Sequence, residues 1–319
     1  MAAPGSDDMI KPVVTVMILN YQRRNMLHRV VTSALQQDYP HLDILVVDNA
    51  STDGSAAFVR RTFPQVRVLS LPQNIGCAAR NEGIAAAHGE IIVTIDNDVL
   101  LATSQDVQSI VTLFERHPDV ACIDFQIRDE AGELCTRDWC HPRDWRQFAH
   151  EEFLTAYVLE GASAIRRQAF EHVGGYWGPL FLGHEGHDLA YRLLGSGYNL
   201  LYTPRVHVTH LVSPTARPSS RIYYTFTRNA IWVSLRNHRP AAALQAIIKY
   251  MSLMAFSSVR AGHWQSYLRG LWDGLRGAPL ALATRSPLTP TAYRRLRYIR
   301  RFEPSVFAKT LRHWRERPI

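Results

Sequence analysis

The sequence predicts an α/β protein whose first half is a mostly parallel sheet, followed by a mixed second half and a helical, basic C-terminal extension. Three observations carry that prediction. Short β-branched runs alternate with helix-compatible segments over the first hundred residues, several of the runs end in a polar cluster, and the positive charge is gathered near the C-terminal end. Alternation of this kind marks βαβ units, in which crossover helices cover both faces of a buried parallel sheet.

In chain order, "VVTVMIL" (13–19), "LDILVV" (42–47), "VRVLSL" (66–71) and "EIIVTI" (90–95) read as strands, and 25–37, 54–62 and 76–88 as the helices between them. Asp53 is suited to cap the second helix with Gly54 making the turn, and Thr103 with Asp106 reads as a capping box for the helix that follows the fourth strand. Ligands of open sheets bind beyond the carboxyl ends of the strands. Those ends carry "NYQ", with Asn20 and Tyr21; "DNASTDGS", with Asp48 and Asn49; and "DND", with Asp96 and Asp98. The three clusters are expected side by side on one rim. Residues two apart in an extended chain face the same way, so Asp96 and Asp98 converge and call for a positive partner. The plainer alternative for these acids is a loop start. Asp48 could accept the imide N–H of uracil or thymine.

From 120 the pattern changes. "VACIDFQIRDEAGELCTRDW" reads as two strands around a Gly132 turn, and the irregular aromatic and charged stretch to about 150 suits an acceptor-binding loop. Beyond 240, Leu244, Ile247, Ile248, Met251, Met254, Ala255 and Val259 recur at helical spacing, giving an amphipathic helix. Residues 260–319 hold 12 Arg and one Lys against three carboxylates, whereas the rest of the chain is close to neutral. Arginine suits phosphate, although a GC-rich genome gives the same bias. Helix and tail together suit an anionic membrane surface; packing on the catalytic core or at a dimer seam is the competing reading.

Several classes are excluded. The 319 residues, 46% hydrophobic and 20% charged, are those of an ordinary globular chain. The N-terminal residues lack the basic and apolar regions of a secretory signal, and an uninterrupted apolar run of spanning length is missing, so a cytoplasmic chain is expected. Four cysteines without C-x-x-C spacing read as reduced thiols. There is no G-x-G-x-x-G after the first strand, no P-loop, and no lysine-bearing glycine-rich loop of a sugar-nucleotide pyrophosphorylase. Nucleic-acid binding is disfavoured, since no aromatic-interleaved basic sheet accompanies the charge. What remains is a phosphate site built from metal and arginine.

Three stretches, "VTVMILNYQRRNMLHRVVTSALQQDYPHLDILVVDNASTDGS", "NIGCAARNEGIAAAHGEIIVTIDNDVLL" and "GHEGHDLAYRLLGSGYNLLYTPRVHVTH", resemble the GT-A glycosyltransferases of family 2, particularly the bacterial rhamnosyltransferase-like branch. The resemblance covers about 12–240. It implies a nucleotide-diphospho-sugar donor, a Mg²⁺ or Mn²⁺ ion, inversion at the anomeric carbon, and a hydroxyl-bearing acceptor, either a lipid-linked glycan or a small molecule. It divides the chain into a nucleotide-sugar-binding half (12–119), an acceptor-binding half (120–240) and the tail (241–319). Asp96 and Asp98 match the family's D-x-D, Asp96 toward the donor and Asp98 toward the metal. Tyr21 falls beside the base, Arg80 and Asn81 match an R-N pair at the diphosphate, and His210 matches a histidine that completes the metal shell. A zinc site at His184 and His187 is the alternative, without the H-E-x-x-H pattern.

One motif departs. Relatives carry E-D-x-D, whereas here the four positions are Glu185, Gly186, His187 and Asp188. An inverting transfer needs a carboxylate to take the acceptor's proton, and the family's usual candidate corresponds to Gly186. Glu185 is the nearest substitute and Asp188 the next, although Asp188 could instead cap a helix and pair with Arg192. A non-catalytic nucleotide-sugar-binding protein is therefore the second expectation. Sugar, acceptor, linkage and oligomeric state are not legible.

Overall fold

The computed structural model describes residues 11–211 and 219–304, so the extreme N-terminus and the last arginines of the tail lie outside the described residues. The first half follows the expected order: β1 (Val14–Asn20), α1 (Arg24–Leu35), β2 (Leu42–Asp48), α2 (Ser55–Thr62), β3 (Arg67–Ser70), α3 (Ala79–Ala86), β4 (Ile91–Asp96), β5 (Val99–Leu101) and α4 (Asp106–Arg116). The second half contains β6 (Val120–Arg128), α5 (Trp145–Phe148), β7 (Phe153–Leu154), β8 (Ala162–Arg166), α6 (Arg167–His172), α7 (Glu185–Gly195), β9 (Asn199–His210) and α8 (Ser219–Asn237). Four helices follow: α9 (Pro240–Arg260), α10 (Trp264–Arg276), α11 (Ala278–Ala283) and α12 (Pro290–Ile299).

One sheet runs through both halves in the order β3-β2-β1-β4-β8-β6-β9-β5, with β7 added on β9. Strands β3, β2, β1 and β4 are parallel, and β8 enters antiparallel between β4 and β6. Period-2 alternation sorts the side chains. Val16, Ile18, Val46 and Val93 face α1 and α4 in one core, while Met17, Leu45, Val47 and Ile92 face α3, α6, α7 and α8 in the other. Each such fully buried side chain contributes about 1.5–3 kcal/mol.

The capping chemistry is only partly as expected. Asp106 accepts from the backbone of Ala102 and Thr103 and from the Thr103 hydroxyl, closing the turn before α4. Asp53 is not the cap residue of α2, a place taken by Gly54 at φ +80°; its carboxylate instead accepts from Ser55 and from the Arg24 backbone. The hairpin around Gly132 is corrected too. Only a single bridge, Arg128 to Leu134, follows β6. β8 covers only Cys122–Asp124 on that side of β6, so its far end stays open for the Leu134 bridge, but the chain turns off into a short 3-10 turn at Thr136 before a second strand can extend.

Beyond 240 the helices pack back on α8. Gly270 and Gly274 form the inner face of α10, where an added Cβ would stand 2.6 Å from the Tyr224 carbonyl oxygen and 2.6 Å from Ile231 Cδ1. Tyr267 and Leu271 pack partly on the core beside them, whereas Trp264, Leu268, Trp272 and Leu275 are exposed. In α9, Ala243, Met251 and Met254 are buried against its neighbours, whereas Leu244, Ile248 and Val259 are exposed. Contrary to the sequence expectation, α9 is long and apolar enough to cross a membrane, by length and composition alone.

Candidate active site

The strand register builds the rim. Asn20 at the end of β1 stands beside Asp48 at the end of β2, and Leu19 beside Asp96 at the end of β4. Together with the loops facing them, these ends enclose a cavity of about 370 Å³ lined by Tyr21, Arg23, Asn49, Arg80, Asp96, Asp98, Glu160 and Glu185, among others.

Both acids of the "DND" cluster face this cavity, and each has met a cation. Arg80 Nη2 lies 2.5 Å from Asp96 Oδ1, and the Arg23 guanidinium pairs with Asp98 Oδ2. Burial works to lower the pKa of Arg80, but the neighbouring Asp96 charge, foremost among the opposing influences, raises it. Gly161 makes the room: a Cβ there would stand 2.5 Å from Asp96 Oδ2.

His210 reaches Asp98 because β5 pairs antiparallel with β9, Val99 opposite His210. His210 Nε2 lies 3.6 Å from Asp98 Oδ2, while its Nδ1 is 2.8 Å from Asp138 Oδ2. Hydrogen bonding to Asp138, then to Asp98, raises the imidazole pKa to about 9. Burial pushes Asp98 upward, but bonding from His210 and Arg23 prevails and holds it below the usual carboxylate range. A histidine oriented by one carboxylate and aimed at another, beside a cavity, fits a divalent-cation site, and the second carboxylate fixes the ring. Cys135 also lies near Asp138 and His210, but burial pushes its thiol up to about 11, so it supplies little thiolate. The zinc alternative fares worse. His184 is bonded through Nε2 to the Tyr250 hydroxyl, and His187 packs against Tyr157.

Five expected site residues do not line the cavity; His210, the first of them, meets it only through Asp98, which does. Asn20 donates to Asp48 Oδ1 at 2.7 Å and Asp48 Oδ2 accepts the Ser51 N–H, so this buried pair braces the ends of β1 and β2. Asn49, one residue on, takes the cavity position, held by Asn74 and the backbone of Ile75. Asn81 exchanges two hydrogen bonds with the backbone of Tyr176 and so clamps the loop before α7. Asp188 is fully buried and accepts from Arg192, Arg236 and Asn237. It is not a cap either, since α7 begins at Glu185 behind His184. An ion-paired, sealed carboxylate of this kind cannot reach an acceptor. Its pairing with Arg192 is as the spacing predicts.

Sequence reasoning missed Arg23, Asp138 and Glu160. Arg23 stood in plain view in "NYQRRN", at the same rim; Asp138 and Glu160 carried no pattern. The chain around Glu160 is pinned: Asp124 Oδ1 accepts the Leu159 N–H at 2.9 Å, Thr94 donates to the Glu160 carbonyl at 2.9 Å, and the Gly161 carbonyl accepts the Asp96 N–H at 3.2 Å. Burial, followed by the charge of Glu185, pushes the Glu160 carboxyl up to about 8, with Arg80 acting against both.

The fold has counterparts. The chain resembles the mannosyltransferase PcManGT from Pyrobaculum calidifontis, solved with GDP-Man and Mn²⁺ (TM-score 0.56, 19% identity, 97% of this chain and 89% of that one). It also resembles residues 1–349 of S. aureus TarS, solved with UDP-GlcNAc (TM-score 0.58, 14% identity, 95% and 92%). These likenesses establish the GT-A fold. In sequence it is 26% identical over 232 residues to the N-acetylglucosaminyl-diphospho-decaprenol L-rhamnosyltransferase of Mycobacterium tuberculosis, covering 62% of this chain and 76% of that one. Across four other bacterial relatives the chain spans only 17–36% of the relative's length. Residues 15–174, half of the chain, match the family described as Glycosyl transferase family 2, and the chain belongs to that family.

Proposed function

We propose that the chain is an inverting glycosyltransferase that moves a sugar from a nucleotide-diphospho-sugar of the UDP or dTDP type to a hydroxyl acceptor. The observation that carries this reading is the meeting of Asp98 and His210 at 3.6 Å, with Asp98, Asp96 and Arg80, drawn from different parts of the chain, lining one cavity. Asp98 and His210 would hold a divalent cation, Mg²⁺ or Mn²⁺. Such an ion neutralises the charge that develops on the leaving diphosphate. Arg80, fixed by Asp96, and Arg23, beside Asp98, meet the diphosphate as the protein's own cations. Tyr21, exposed at the cavity mouth, offers its ring to the base, while Asn74, which also lines the cavity, offers its amide N–H to the base's polar edge. The manganese and nucleotide sugars in the two similar structures support this reading.

The acceptor is either a lipid-linked glycan or a small molecule. A lipid-linked one is favoured by the exposed apolar face of α9 and α10, with Arg260, Arg269 and Arg276 alongside it. That face suits an anionic inner-leaflet surface, where arginines meet head groups and tryptophans lie at the interface.

The test is release of nucleoside diphosphate from a panel of UDP-, dTDP- and GDP-sugars, with and without pooled acceptors. Turnover should vanish in EDTA and return with Mn²⁺ or Mg²⁺. Asp98→Ala should lose turnover and metal-dependent nucleotide binding together. Full activity in EDTA overturns the metal assignment, and nucleotide binding without any turnover favours a binding protein.

A further inference from the structure

We propose that Glu160 accepts the proton of the attacking hydroxyl, occupying the space that a side chain at position 186 would otherwise fill. The inference rests on the glycosyltransferase reading and names a residue that reading leaves open.

Gly186 sits in the first turn of α7, on the side facing the loop 157–161. An ideal Cβ on Gly186 would collide with the Val158 carbonyl oxygen and stand 2.5 Å from Glu160 Oε1 and 3.0 Å from Glu160 Cδ. The first of these contacts is with backbone, which cannot swing aside. With the 157–161 loop as it stands in this chain, position 186 has no room for a side chain, and the carboxyl group found in its place belongs to Glu160.

Two carboxylates then line this side of the cavity, Glu160 and Glu185. They differ in setting. Glu185 is the first residue of α7, at the positive end of that helix. Glu160 lies in a loop, outside any helix dipole, and is buried beside the Glu185 charge, a setting that makes a carboxylate more basic. Its backbone is fixed by Asp124 on one side and Thr94 on the other, and Tyr157 donates to its Oε2 at 3.4 Å. The residue is positioned rather than mobile, as proton transfer in a transition state requires.

The step balances without another reactant. The acceptor oxygen forms a bond to the anomeric carbon as the bond from that carbon to the diphosphate oxygen breaks, and its electron pair departs on the nucleoside diphosphate. The acceptor's proton passes to Glu160.

The experiment uses the full chain and the donor panel that shows turnover for the parent. Glu160→Gln should lower turnover about 10²-fold or more with nucleotide affinity nearly unchanged. Glu160→Ala should lose as much and regain part of its activity when formate or azide, small enough for the vacated space, is added. Thermal melting and nucleotide affinity of each variant report whether it has folded. Glu160→Gln turning over like the parent, a larger loss in Glu185→Gln than in Glu160→Gln, or a folded Glu160→Ala that formate and azide leave dead overturns the proposal. A parent that binds nucleotide but releases no diphosphate from any donor sinks the transferase reading and this proposal together, whereas an active parent with an active Glu160→Gln sinks this proposal alone.

Discussion

At the scale of single residues, the chemistry follows from which carboxylates are sealed and which face the cavity. Asp96 and Asp98 were legible because strand periodicity alone aims both at one place, and the cations they call for are there as Arg80 and Arg23. Asp48 and Asn20, expected at the same rim, bond each other instead of lining the cavity, because composition marks a polar rim but not which of two adjacent polar side chains turns inward. Glu160 was invisible, since only the folded distance to Gly186 reveals it. A pH dependence follows. A proton acceptor works only when deprotonated, and burial followed by Glu185 holds the proton on Glu160 up to about 8, against Arg80, with Asp96 adding to the rise. In the free enzyme kcat/KM should therefore climb with pH, about tenfold per unit, and level off above that value. The residual activity of Glu160→Gln should lack that limb. Profiles of kcat/KM for parent and variant check this, and a flat parent profile between about pH 6 and 9 contradicts it.

At the scale of elements, the strands and helices of the first half were readable because each has a single hydrophobic period and a polar end. The second strand expected around Gly132 shrinks to one bridge, Arg128 to Leu134, because the chain turns away from the open end of β6 at Thr136, which sequence does not report. Helix α7 is the more consequential case. Its Asp188 reads locally as a cap, an effect of about 1 kcal/mol. In the fold it is the anion that joins α7 to α8, accepting at 2.6 and 2.7 Å from Arg236 and at 2.8 Å from Arg192. Removing one member of a buried ionic cluster leaves the others uncompensated, at a cost of about 3–5 kcal/mol. Asp188→Asn should accordingly lower stability by several times the cap value in urea unfolding. Below its melting transition it should still bind nucleotide, because Asp188 does not line the cavity. Parent-like stability would show that Arg192 and Arg236 are held by their other partners.

At the scale of the whole molecule, α10 is apolar on both sides, with glycines toward α8, Tyr267 and Leu271 on the core, and tryptophans toward solvent. The sequence shows an apolar period in α9 but not which face is covered, because α8 and α10 together decide that. Of the exposed large apolar side chains, those from Leu244 to Phe302 form the great majority, more than a scattering of single residues would produce. If this face docks on membrane, the protein should sediment with vesicles containing anionic lipid at low salt and be partly released as salt screens its arginines. Trp272→Glu with Leu268→Glu should weaken that binding while leaving turnover on a soluble acceptor intact. Equal sedimentation with neutral and anionic vesicles removes the electrostatic part, and none with either removes the membrane. The ionic cluster around Asp188 has a further consequence, for how this chain can be divided. The stretch that matches the family ends at 174, yet the helix bearing Glu185 is neutralised from Arg236, on the far side of β9 in the chain. A fragment cut at the family boundary, or anywhere before Asn237, would lose that helix or leave it short of its counterions. The transferase region is thus not a detachable module: a shortened gene, a domain transplant or a limited digest that keeps the motifs but discards α8 should yield aggregated protein, and the smallest soluble unit should reach past that helix.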